Sequence, residues 1–562
     1  MRRAVRRLLL FASLLVLAWI VYRQWIGARV EDGSFLLFDF HGSWDEGPPD
    51  SELTRFFFPG KLTAVEALHL LDRASSDPRL SGLVVRVRSP EIGWARAEEF
   101  RESFLRFREA GKSVVSLLET EAPLANRDFF LASAGSPLYV SPGTTAPLLG
   151  LSLRYLFFGE LFEKLGVHFY VARTGPYKTG PDFLTGRGMS KQHREMAESL
   201  LESVRTSFVS ALARARKLPD GRVLEIFENA PSRPEDFVRL GLADGVRSLS
   251  EIRARDLAHA PLVDLETYHR SQSGILRRPR HAVAVVPVDG TITLDGPPAA
   301  GAAATELVRA LEAALSDPDV RAILVRVHSP GGSALASDLV WRAIREAGEK
   351  KPVVASLSDV AASGGYYLAC GADLVFASET SLTGSIGVFY VRPNLRDALE
   401  KAGVRVEVLS RDRYATIHDP FSPLDEAARR RIEEEIDDVY DLFLERVATS
   451  RRSSREEVER VAGGRVWTGR QAVDLGLVDA IGGFSDALAA AKERAGIPAR
   501  EPVRLVFYPA ARAPWERIRE MARPSLSPAR GVLSESLERL RELGRHLRPG
   551  PWALMPERIL LE

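Results

Sequence analysis

Two halves of this sequence repeat each other, and the copies differ at polar positions. Residues 76–90 read SDPRLSGLVVRVRSP, and residues 316–330 read SDPDVRAILVRVHSP. EKLGV at 163–167 likewise recurs as EKAGV at 400–404. A spacing of roughly 235–240 residues is far longer than the repeat of a solenoid, so it predicts two tandem domains of one fold.

Each copy alternates apolar strands with helices of 3.6-residue periodicity. The predicted strands are residues 35–40, 82–87, 113–118 and 138–140 in the first copy, and 282–288, 322–327, 353–357 and 374–377 in the second. The predicted helices are residues 64–74 and 190–217, then 305–315 and 424–450. Continuous apolar strands alternating with helices indicate the α/β class, with parallel sheets covered on both faces. The C-terminal tail adds a predicted strand at 503–508 and two helical stretches.

The N-terminus has the pattern of a membrane anchor. Four arginines, at positions 2, 3, 6 and 7, precede an apolar run from Leu8 to Tyr22. With Trp25 and Ile26 this run just reaches the length that a transmembrane helix needs. The alternative is a cleaved signal peptide, which requires small residues at the cleavage site. We predict an uncleaved transmembrane helix in residues 1–30, with the chain beyond it outside the cytoplasm.

Composition and motifs exclude several classes of function. The chain carries 76 basic and 75 acidic side chains, so no overall field favours nucleic acid. The single cysteine, Cys370, rules out an internal disulfide and a cysteine metal cluster. Neither a H-E-x-x-H motif nor a P-loop nor a G-x-G-x-x-G pattern is present. We therefore expect no cofactor and no nucleic-acid partner.

Ser363 is the first candidate for chemistry. It lies in Ala361-Ala-Ser-Gly-Gly365, where the first copy has Leu124-Ala-Asn-Arg-Asp128. A serine between a strand and a helix can lie at the helix N-terminus, where free amides and the helix dipole favour an oxyanion. The alternative interpretation is a helix N-cap followed by a glycine turn.

Gly331 and Gly332 follow a buried strand in Ser329-Pro-Gly-Gly-Ser333. At the carboxyl end of a parallel strand, their amides can face a crevice in which ligands bind. A plain strand-to-helix turn is the alternative. The first copy has Ser89-Pro-Glu-Ile at this point and lacks both glycines. Since a structural turn would have kept them in both copies, the difference favours function.

Lys178 lies in a loop shaped by two prolines and two glycines, Thr174-Gly-Pro-Tyr-Lys-Thr-Gly-Pro181. A lysine can act as the general base for a serine if burial lowers its pKa. An ordinary exposed loop lysine is the alternative. His328 and His418 are competing bases in a Ser-His-Asp arrangement, but no carboxylate is clearly positioned to orient either ring.

Four linked motifs of the second copy together resemble the signal peptide peptidase A (protease IV) family in its long, duplicated form. The motifs are Arg326-Val-His-Ser-Pro-Gly-Gly-Ser333, Ala361-Ala-Ser-Gly-Gly-Tyr366, Ser381-Leu-Thr-Gly-Ser-Ile-Gly-Val388, and Gly464-Arg-Val-Trp-Thr-Gly469 with Gly476-Leu-Val-Asp479. The resemblance implies two crotonase-like (Clp protease-like) domains and a Ser–Lys dyad. Ser363 would be the nucleophile, Lys178 the general base, and Ser385 the residue that holds the lysine. The oxyanion hole would comprise Gly332, Gly331 and Gly364.

The resemblance also implies an architecture and a biological role. We predict a membrane anchor (1–30), a repeat carrying the lysine (31–272), a repeat carrying the serine (273–500) and a C-terminal extension (501–562). The protein would be a serine endopeptidase of the bacterial inner membrane that degrades cleaved signal peptides. Its catalytic domains would lie in the periplasm and assemble as a homotetramer. An acyl-CoA enzyme of the same fold and an inactive peptide-binding scaffold are the alternatives.

The sequence departs from the pattern of that family in two places. His328 stands where the family often has asparagine, and Thr179-Gly-Pro-Asp-Phe183 differs from the usual sequence after the lysine. The second departure concerns the shape of the lysine loop rather than the lysine itself.

Overall fold

The computed structural model describes residues 29–48, 62–272, 279–296 and 301–509, together with the backbone of 551–554 and 560–561. The predicted anchor lies outside these ranges except for its last two residues, and the predicted tail helices lie outside them as well. Among the described helices, none has the length and apolar character that a membrane crossing requires.

The first repeat begins with a strand and alternates strands with helices as the periodicity predicted. Its strands are β1 (Ser34–Ser43), β2 (Leu80–Glu91), β3 (Ser113–Leu118), β4 (Leu138–Val140), β5 (Leu153–Arg154), β6 (His168–Arg173), β7 (Gly245–Val246) and β8 (Leu262–Asp264). Its helices are α1 (Ala64–Ser75), α2 (Trp94–Glu109), α3 (Asn126–Ala132), α4 (Gly159–Leu165), α5 (Asp182–Thr185), α6 (Lys191–Arg216), α7 (Asp220–Glu228), α8 (Pro234–Arg239), α9 (Leu249–Arg255) and α10 (Leu265–Gln272).

The second repeat follows the same order of elements. Its strands are β9 (His281–Asp289), β10 (Ile292–Thr293), β11 (Ala302–Ala303), β12 (Val320–Ser329), β13 (Gly331–Ser333), β14 (Val353–Ala362), β15 (Leu374–Ala377), β16 (Leu382–Gly384), β17 (Phe389–Asn394), β18 (Val466–Thr468), β19 (Ala480–Ile481) and β20 (Val503–Phe507). Its helices are α11 (Ala304–Ser316), α12 (Ala334–Gly348), α13 (Gly364–Ala369), α14 (Arg396–Lys401), α15 (Glu426–Arg451), α16 (Arg455–Val461), α17 (Gly469–Asp474) and α18 (Phe484–Arg494). Two short strands follow in the tail, β21 (Pro551–Leu554) and β22 (Leu560–Leu561).

The two repeats contain matching parallel sheets. The first sheet has the order β7-β4-β3-β2-β1-β8, and the second contains the path β19-β15-β14-β12-β9-β20. All pairs along both paths are parallel. The structure therefore agrees with the α/β class and the internal duplication predicted from sequence. Strand β20, which the sequence analysis assigned to the C-terminal extension, forms the edge of the second sheet beside β9.

A third sheet, with the order β11-β10-β13-β21-β17-β6, joins the repeats. Strand β6 of the first repeat pairs antiparallel with β17 of the second, from Arg173 opposite Phe389 to His168 opposite Asn394. Helix α18 also packs into a hydrophobic core shared with the first repeat, where Phe484 and Leu488 join the cluster around Phe104. These contacts fix the loop that follows β6 against the second repeat.

A buried charge network crosses the same interface. Arg326 of β12 is fully buried and donates hydrogen bonds to the carboxylates of Glu46 and Glu99, which belong to the first repeat. The hydroxyl of Ser356 accepts a further hydrogen bond from Arg326 at 2.8 Å. Because an unpaired charge is costly inside a protein, Arg326 depends on the carboxylates of the first repeat for its neutralisation.

Candidate active site

Ser363 lies at the junction between β14 and α13, one residue after the strand and one before the helix. Its backbone has φ 55° and ψ −116°, a strained conformation for a residue with a side chain. The Ser363 amide donates to the Gly384 carbonyl at 2.7 Å, which holds this geometry. Ser363 occupies the N-cap position of α13, as the alternative interpretation has it, but its side chain makes no capping hydrogen bond to the helix.

Lys178 reaches the site from the loop after β6. The neighbouring Tyr177 amide donates to the Gly463 carbonyl at 3.0 Å, and Arg173 donates to the carbonyl of Lys178 itself at 3.3 Å. The Lys178 side chain has no exposed surface. The alternative interpretation as an exposed loop lysine is therefore wrong.

The Lys178 amine lies within hydrogen-bond distance of three oxygens. Its Nζ is 2.7 Å from Ser363 Oγ, 2.8 Å from the Ser385 carbonyl oxygen and 3.0 Å from Ser385 Oγ. All three residues are fully buried. A neutral amine has two N–H donors and one lone pair. If both donors are directed at Ser385, the lone pair is directed at the Ser363 hydroxyl, which is the arrangement that proton abstraction requires.

Burial also sets the charge state of this amine. Desolvation lowers the pKa of Lys178 well below its ordinary value, because the ammonium form loses its hydration inside the protein. None of the ion pairs formed by the described residues includes Lys178 to oppose this effect. A lysine with a lowered pKa is able to accept a proton near neutral pH.

Two backbone amides remain candidates for binding an oxyanion beside Ser363. The Gly331 amide donates to Ser329 Oγ at 3.1 Å, so it is engaged within its own loop. Gly332 is held against β10, where a β-carbon would lie 2.0 Å from the Ile292 carbonyl oxygen. Gly364 is the first residue of α13, and amides in the first turn of a helix lack partners within it.

Helix α13, which begins with Gly364, approaches the end of β12, the strand that leads to Gly332. A β-carbon on Gly365 would lie 2.7 Å from the Ser329 carbonyl oxygen. Glycine at this position therefore lets α13 approach the end of β12, which brings the Gly332 and Gly364 regions together.

The competing histidines have other surroundings. His418 Nδ1 is 2.8 Å from the hydroxyl of Tyr390. His328 Nδ1 is buried without a hydrogen-bond partner among the described residues. The hydrogen bond of the Ser363 side chain is instead with Lys178. The structure thus does not support a Ser-His-Asp arrangement.

The counterpart of Ser363 in the first repeat and the counterpart of Lys178 in the second repeat lack the catalytic hydroxyl and amine. Asn126, the first-repeat counterpart of Ser363, is buried at the start of α3 and donates to the Gly150 carbonyl at 2.5 Å. Ala415, the second-repeat counterpart of Lys178, lies in an exposed loop. The described residues therefore form one such site, with the amine from the first repeat and the hydroxyl from the second.

The sequence analysis did not identify the residues that fix the lysine loop. Gly464, which packs against the Lys178 backbone, was recognised as part of a motif, but this contact was not predicted. Arg173 bridges the Lys178 carbonyl and Asp182 Oδ1, at 3.3 and 2.6 Å. Arg465 stacks on the Tyr177 ring at 4.8 Å and donates to Glu195. The only local signal was the density of glycine and proline on either side of the lysine.

Comparison with known proteins agrees with this site. The chain is 32% identical over 518 residues to "Serine protease SPPA, chloroplastic" of Arabidopsis thaliana, covering 89% of this chain and 73% of that protein. It is 29% identical over 467 residues to "Protease 4" of Haemophilus influenzae, covering 79% and 75%. A shorter match, 35% identical over 178 residues, is to "Putative signal peptide peptidase SppA" of Enterococcus faecium, covering 32% and 52%.

The family model that describes Peptidase family S49 matches twice, at residues 106–261 and 345–498. The first match contains Lys178, and the second contains Ser363 and Ser385. The two matches confirm the tandem repeat and the predicted family resemblance. The chain is a serine protease that belongs to peptidase family S49.

Proposed function

We propose that this protein is an endopeptidase with a Ser–Lys dyad that degrades cleaved signal peptides and other apolar peptides. The observation that carries the proposal is the 2.7 Å contact between Lys178 Nζ and Ser363 Oγ, made between two fully buried residues of different repeats. The division of the dyad also accounts for the duplication, because neither repeat alone has both groups.

The reaction would proceed through an acyl-enzyme. Neutral Lys178 takes the Ser363 hydroxyl proton as Oγ bonds to the scissile carbonyl carbon. The amides of Gly332 and Gly364 donate to the resulting oxyanion. The lysine ammonium then gives its proton to the leaving amine as the carbon–nitrogen bond breaks. A water molecule then gives a proton to Lys178 as its oxygen bonds to the ester carbon. The bond from that carbon to Ser363 Oγ breaks, the peptide acid leaves, and Lys178 returns its proton to Oγ.

Ser385 would act as a positioning residue in this scheme. Its carbonyl and hydroxyl oxygens accept the two N–H groups of the neutral amine, at 2.8 and 3.0 Å. This leaves the lone pair of Lys178 aimed at Ser363. Gly331, whose amide already donates to Ser329, would shape the oxyanion loop rather than bind the oxyanion.

Exposed apolar side chains follow β13, the strand that carries Gly332. Leu335, two residues after β13, is 59% exposed, and Leu339 lies one helical turn further along α12 and is also exposed. Exposed leucines beside a strand edge suit an extended peptide with apolar side chains. The name of the Enterococcus faecium relative, a putative signal peptide peptidase, agrees with such a substrate.

Assembly into a homotetramer is supported by two segments that correspond to β6 and β17 in the opposite repeats but do not pair with each other within one chain. The EKLGV motif recurs 400 − 163 = 237 residues later, so residues 405–410 correspond to β6 and residues 152–157 to β17. Within one chain these segments do not pair with each other, and Leu409 is fully exposed while Leu156 is 64% exposed. Pairing 405–410 of one chain with 152–157 of the next would propagate head to tail and close into a ring.

Assembly can be tested by measuring the mass of the particle in solution. Leu409→Asp should convert an oligomer into a monomer, as measured by light scattering after size exclusion. Leu475→Asp, at another exposed leucine, is the matched control and should leave the mass unchanged. An unchanged oligomer in the Leu409 variant would contradict the proposed contact.

We further propose that residues 1–30 anchor the protein in the bacterial inner membrane, with both crotonase-like repeats on the periplasmic side. The arginines before the apolar run support this orientation. The chain should stay with the membrane after carbonate washing, and protease added to intact spheroplasts should remove the domains. Release of the protein by carbonate would contradict the membrane anchor. Protection of the domains from the added protease would contradict the periplasmic orientation.

The catalytic proposal is tested by hydrolysis of a fluorogenic apolar peptide. Ser363→Ala and Lys178→Met should each lower kcat/KM by at least about 10³-fold. Ser316→Ala and Lys350→Met, two substitutions distant from the site, are the controls. Full activity in Lys178→Met would contradict the dyad. Turnover of acyl-CoA without peptide hydrolysis would favour the acyl-CoA alternative, and no turnover of either would favour a scaffold.

A further inference from the structure

The C-terminal tail inserts a strand between two strands of the catalytic region. Strand β21 pairs antiparallel with β13 on one side, with Gly331 opposite Leu554, Gly332 opposite Ala553 and Ser333 opposite Trp552. On its other side it pairs antiparallel with β17, with Phe389 opposite Trp552 and Tyr390 opposite Pro551. The β21 backbone is thus paired along both edges.

These two edges flank the dyad. Strand β13 carries Gly332, one of the two candidate oxyanion donors, and β17 begins four residues after Ser385. The opposite edges of both strands are already used, since β13 pairs with β10 and β17 pairs with β6. In the described part of the chain, the gap between them therefore holds one strand, at the usual spacing of about 4.8 Å to each neighbour.

A peptide substrate that binds by strand addition needs the same two edges. Backbone pairing with β13 would bring its carbonyl groups past the Gly332 amide, and pairing with β17 would hold its other side. The tail sequence Pro551-Trp-Ala-Leu554 is wholly apolar, which is the class of substrate proposed above. Tail and substrate therefore compete for one position by the same backbone contacts.

The tail has a second point of attachment. Strand β22 pairs antiparallel with β5, with Leu560 opposite Arg154 and Leu561 opposite Leu153. A covalently linked strand has an effective concentration of about millimolar or higher, so even weak pairing would fill the groove. Because β22 covers part of the 152–157 segment, head-to-tail assembly would have to displace it.

We propose that residues 551–554 are an internal competitive ligand of the substrate groove, held there by strand pairing with β13 and β17. The inference rests on the proposed peptidase function and adds a regulatory element to it. Occupancy by the tail raises the apparent KM for peptides and leaves kcat unchanged, because a peptide binds only the fraction of molecules with a free groove. If nine-tenths of the grooves are occupied, the apparent KM rises about tenfold.

Two shortened chains and two substitutions in the full-length chain separate the effect of β21 from that of chain length. A chain ending at Gly550 lacks β21 and β22, and a chain ending at Pro556 lacks only β22. Ala553→Pro keeps the length but removes the amide of the residue opposite Gly332, and Ala553→Ser is its matched control. We expect the chain ending at Gly550 and Ala553→Pro to lower KM about tenfold at unchanged kcat. Ala553→Ser should behave as the unaltered protein.

A synthetic peptide covering residues 549–556 should inhibit the chain ending at Gly550 competitively. Equal KM values in all versions, together with no inhibition by this peptide, would overturn the proposal. Accumulation of a shortened chain that requires Ser363 would also overturn it, since the tail would then be a substrate. Melting temperatures of the truncated chains check that they remain folded.

Failure of the proposed function gives a different result. In that case no version hydrolyses peptides in a way that Ser363→Ala abolishes. Binding of the fluorescently labelled 549–556 peptide to the Gly550-terminated chain with Ser363→Ala, followed by anisotropy, needs no activity. Saturable binding there supports the groove assignment, and absence of binding overturns it.

Discussion

Gly464 packs directly against the backbone of Lys178. A β-carbon on Gly464 would lie 2.4 Å from the backbone nitrogen of Lys178 and 2.5 Å from the α-carbon of Lys178. The Gly464 backbone also has φ +84°, in the region that favours glycine. Its amide donates to the Ile386 carbonyl at 2.8 Å, next to Ser385. One glycine of the second repeat thus fixes both the base and the serine that holds it.

Gly464→Ala should therefore displace the lysine loop and lower kcat at least about 100-fold, since a shift of about 1 Å in a catalytic group can have that effect. The control is Gly496→Ala, at φ +68° with no atom within 4 Å of the added carbon. Both variants should lose about 1 kcal/mol of stability from the positive φ. Steady-state kinetics and thermal unfolding measure the two effects, and similar kcat values in both variants would contradict the positioning role.

The pH dependence of kcat/KM should report the ionisation of Lys178. Desolvation lowers the pKa of this amine, and only the neutral form can accept the Ser363 proton, so activity rises with pH through that pKa and reaches its plateau below the ordinary lysine pKa of about 10.4. Lys178→Arg should be inactive up to pH 10, because a guanidinium stays protonated. An acid limb that His328→Gln abolishes would instead assign the base to histidine.

The same pKa shift makes stability depend on pH in a definite direction. Between the lowered pKa and about 10.4, the unfolded lysine binds a proton that the folded one does not, so the free energy of unfolding rises with pH. Lys178→Met removes this contribution. The melting temperature of the unaltered protein minus that of Lys178→Met should therefore increase from pH 7 to pH 9. A difference that is constant over this range would mean that the folded lysine has an ordinary pKa.

The sequence predicted the repeats and most sheet elements because these depend on local patterns. The strands at 113–118, 138–140 and 374–377 were predicted with the bounds that the structure has. Strand β14 continues to Ala362, five residues beyond the predicted end, because Val360, Ala361 and Ala362 pair with β16. Gly331–Ser333 was interpreted as a loop and forms the short strand β13, which depends on partners elsewhere in the chain.

The catalytic contact itself could not be derived from periodicity or spacing. Lys178 and Ser363 are 185 residues apart, and their approach depends on the antiparallel pairing of β6 with β17 across the repeats. The assignment of Lys178 came from the family resemblance. The roles of Gly464 and Arg173 were not predicted, because a glycine at positive φ and an arginine at a strand end have no local feature that distinguishes them from other turn residues.

Ser385→Ala should slow the reaction and shift its pH profile. The Ser385 hydroxyl accepts a hydrogen bond from the Lys178 amine at 3.0 Å, which favours the ammonium form. Removing it should lower kcat about tenfold, with KM little changed, and move the acid limb to lower pH. The shift distinguishes loss of this hydrogen bond from a general disturbance of the fold. A limb that stays in place or moves to higher pH would contradict the assigned contact.

Arg326→Met should destabilise the contact between the repeats. The substitution removes the arginine that pairs with the buried carboxylates of Glu46 and Glu99, and Glu46 keeps the longer contact with Arg96 at 3.9 Å. Breaking a buried ion pair by removing one partner typically costs about 3–5 kcal/mol. Arg430→Ala, which breaks an exposed pair with Glu426 four residues away, should cost about 0.5 kcal/mol or less. Urea unfolding of both variants measures the difference. Equal losses would mean that the buried network contributes no more than a surface ion pair. A large loss of stability in Arg326→Met, with kcat maintained wherever the variant is folded, would show that the network holds the repeats together without entering the chemistry of the dyad.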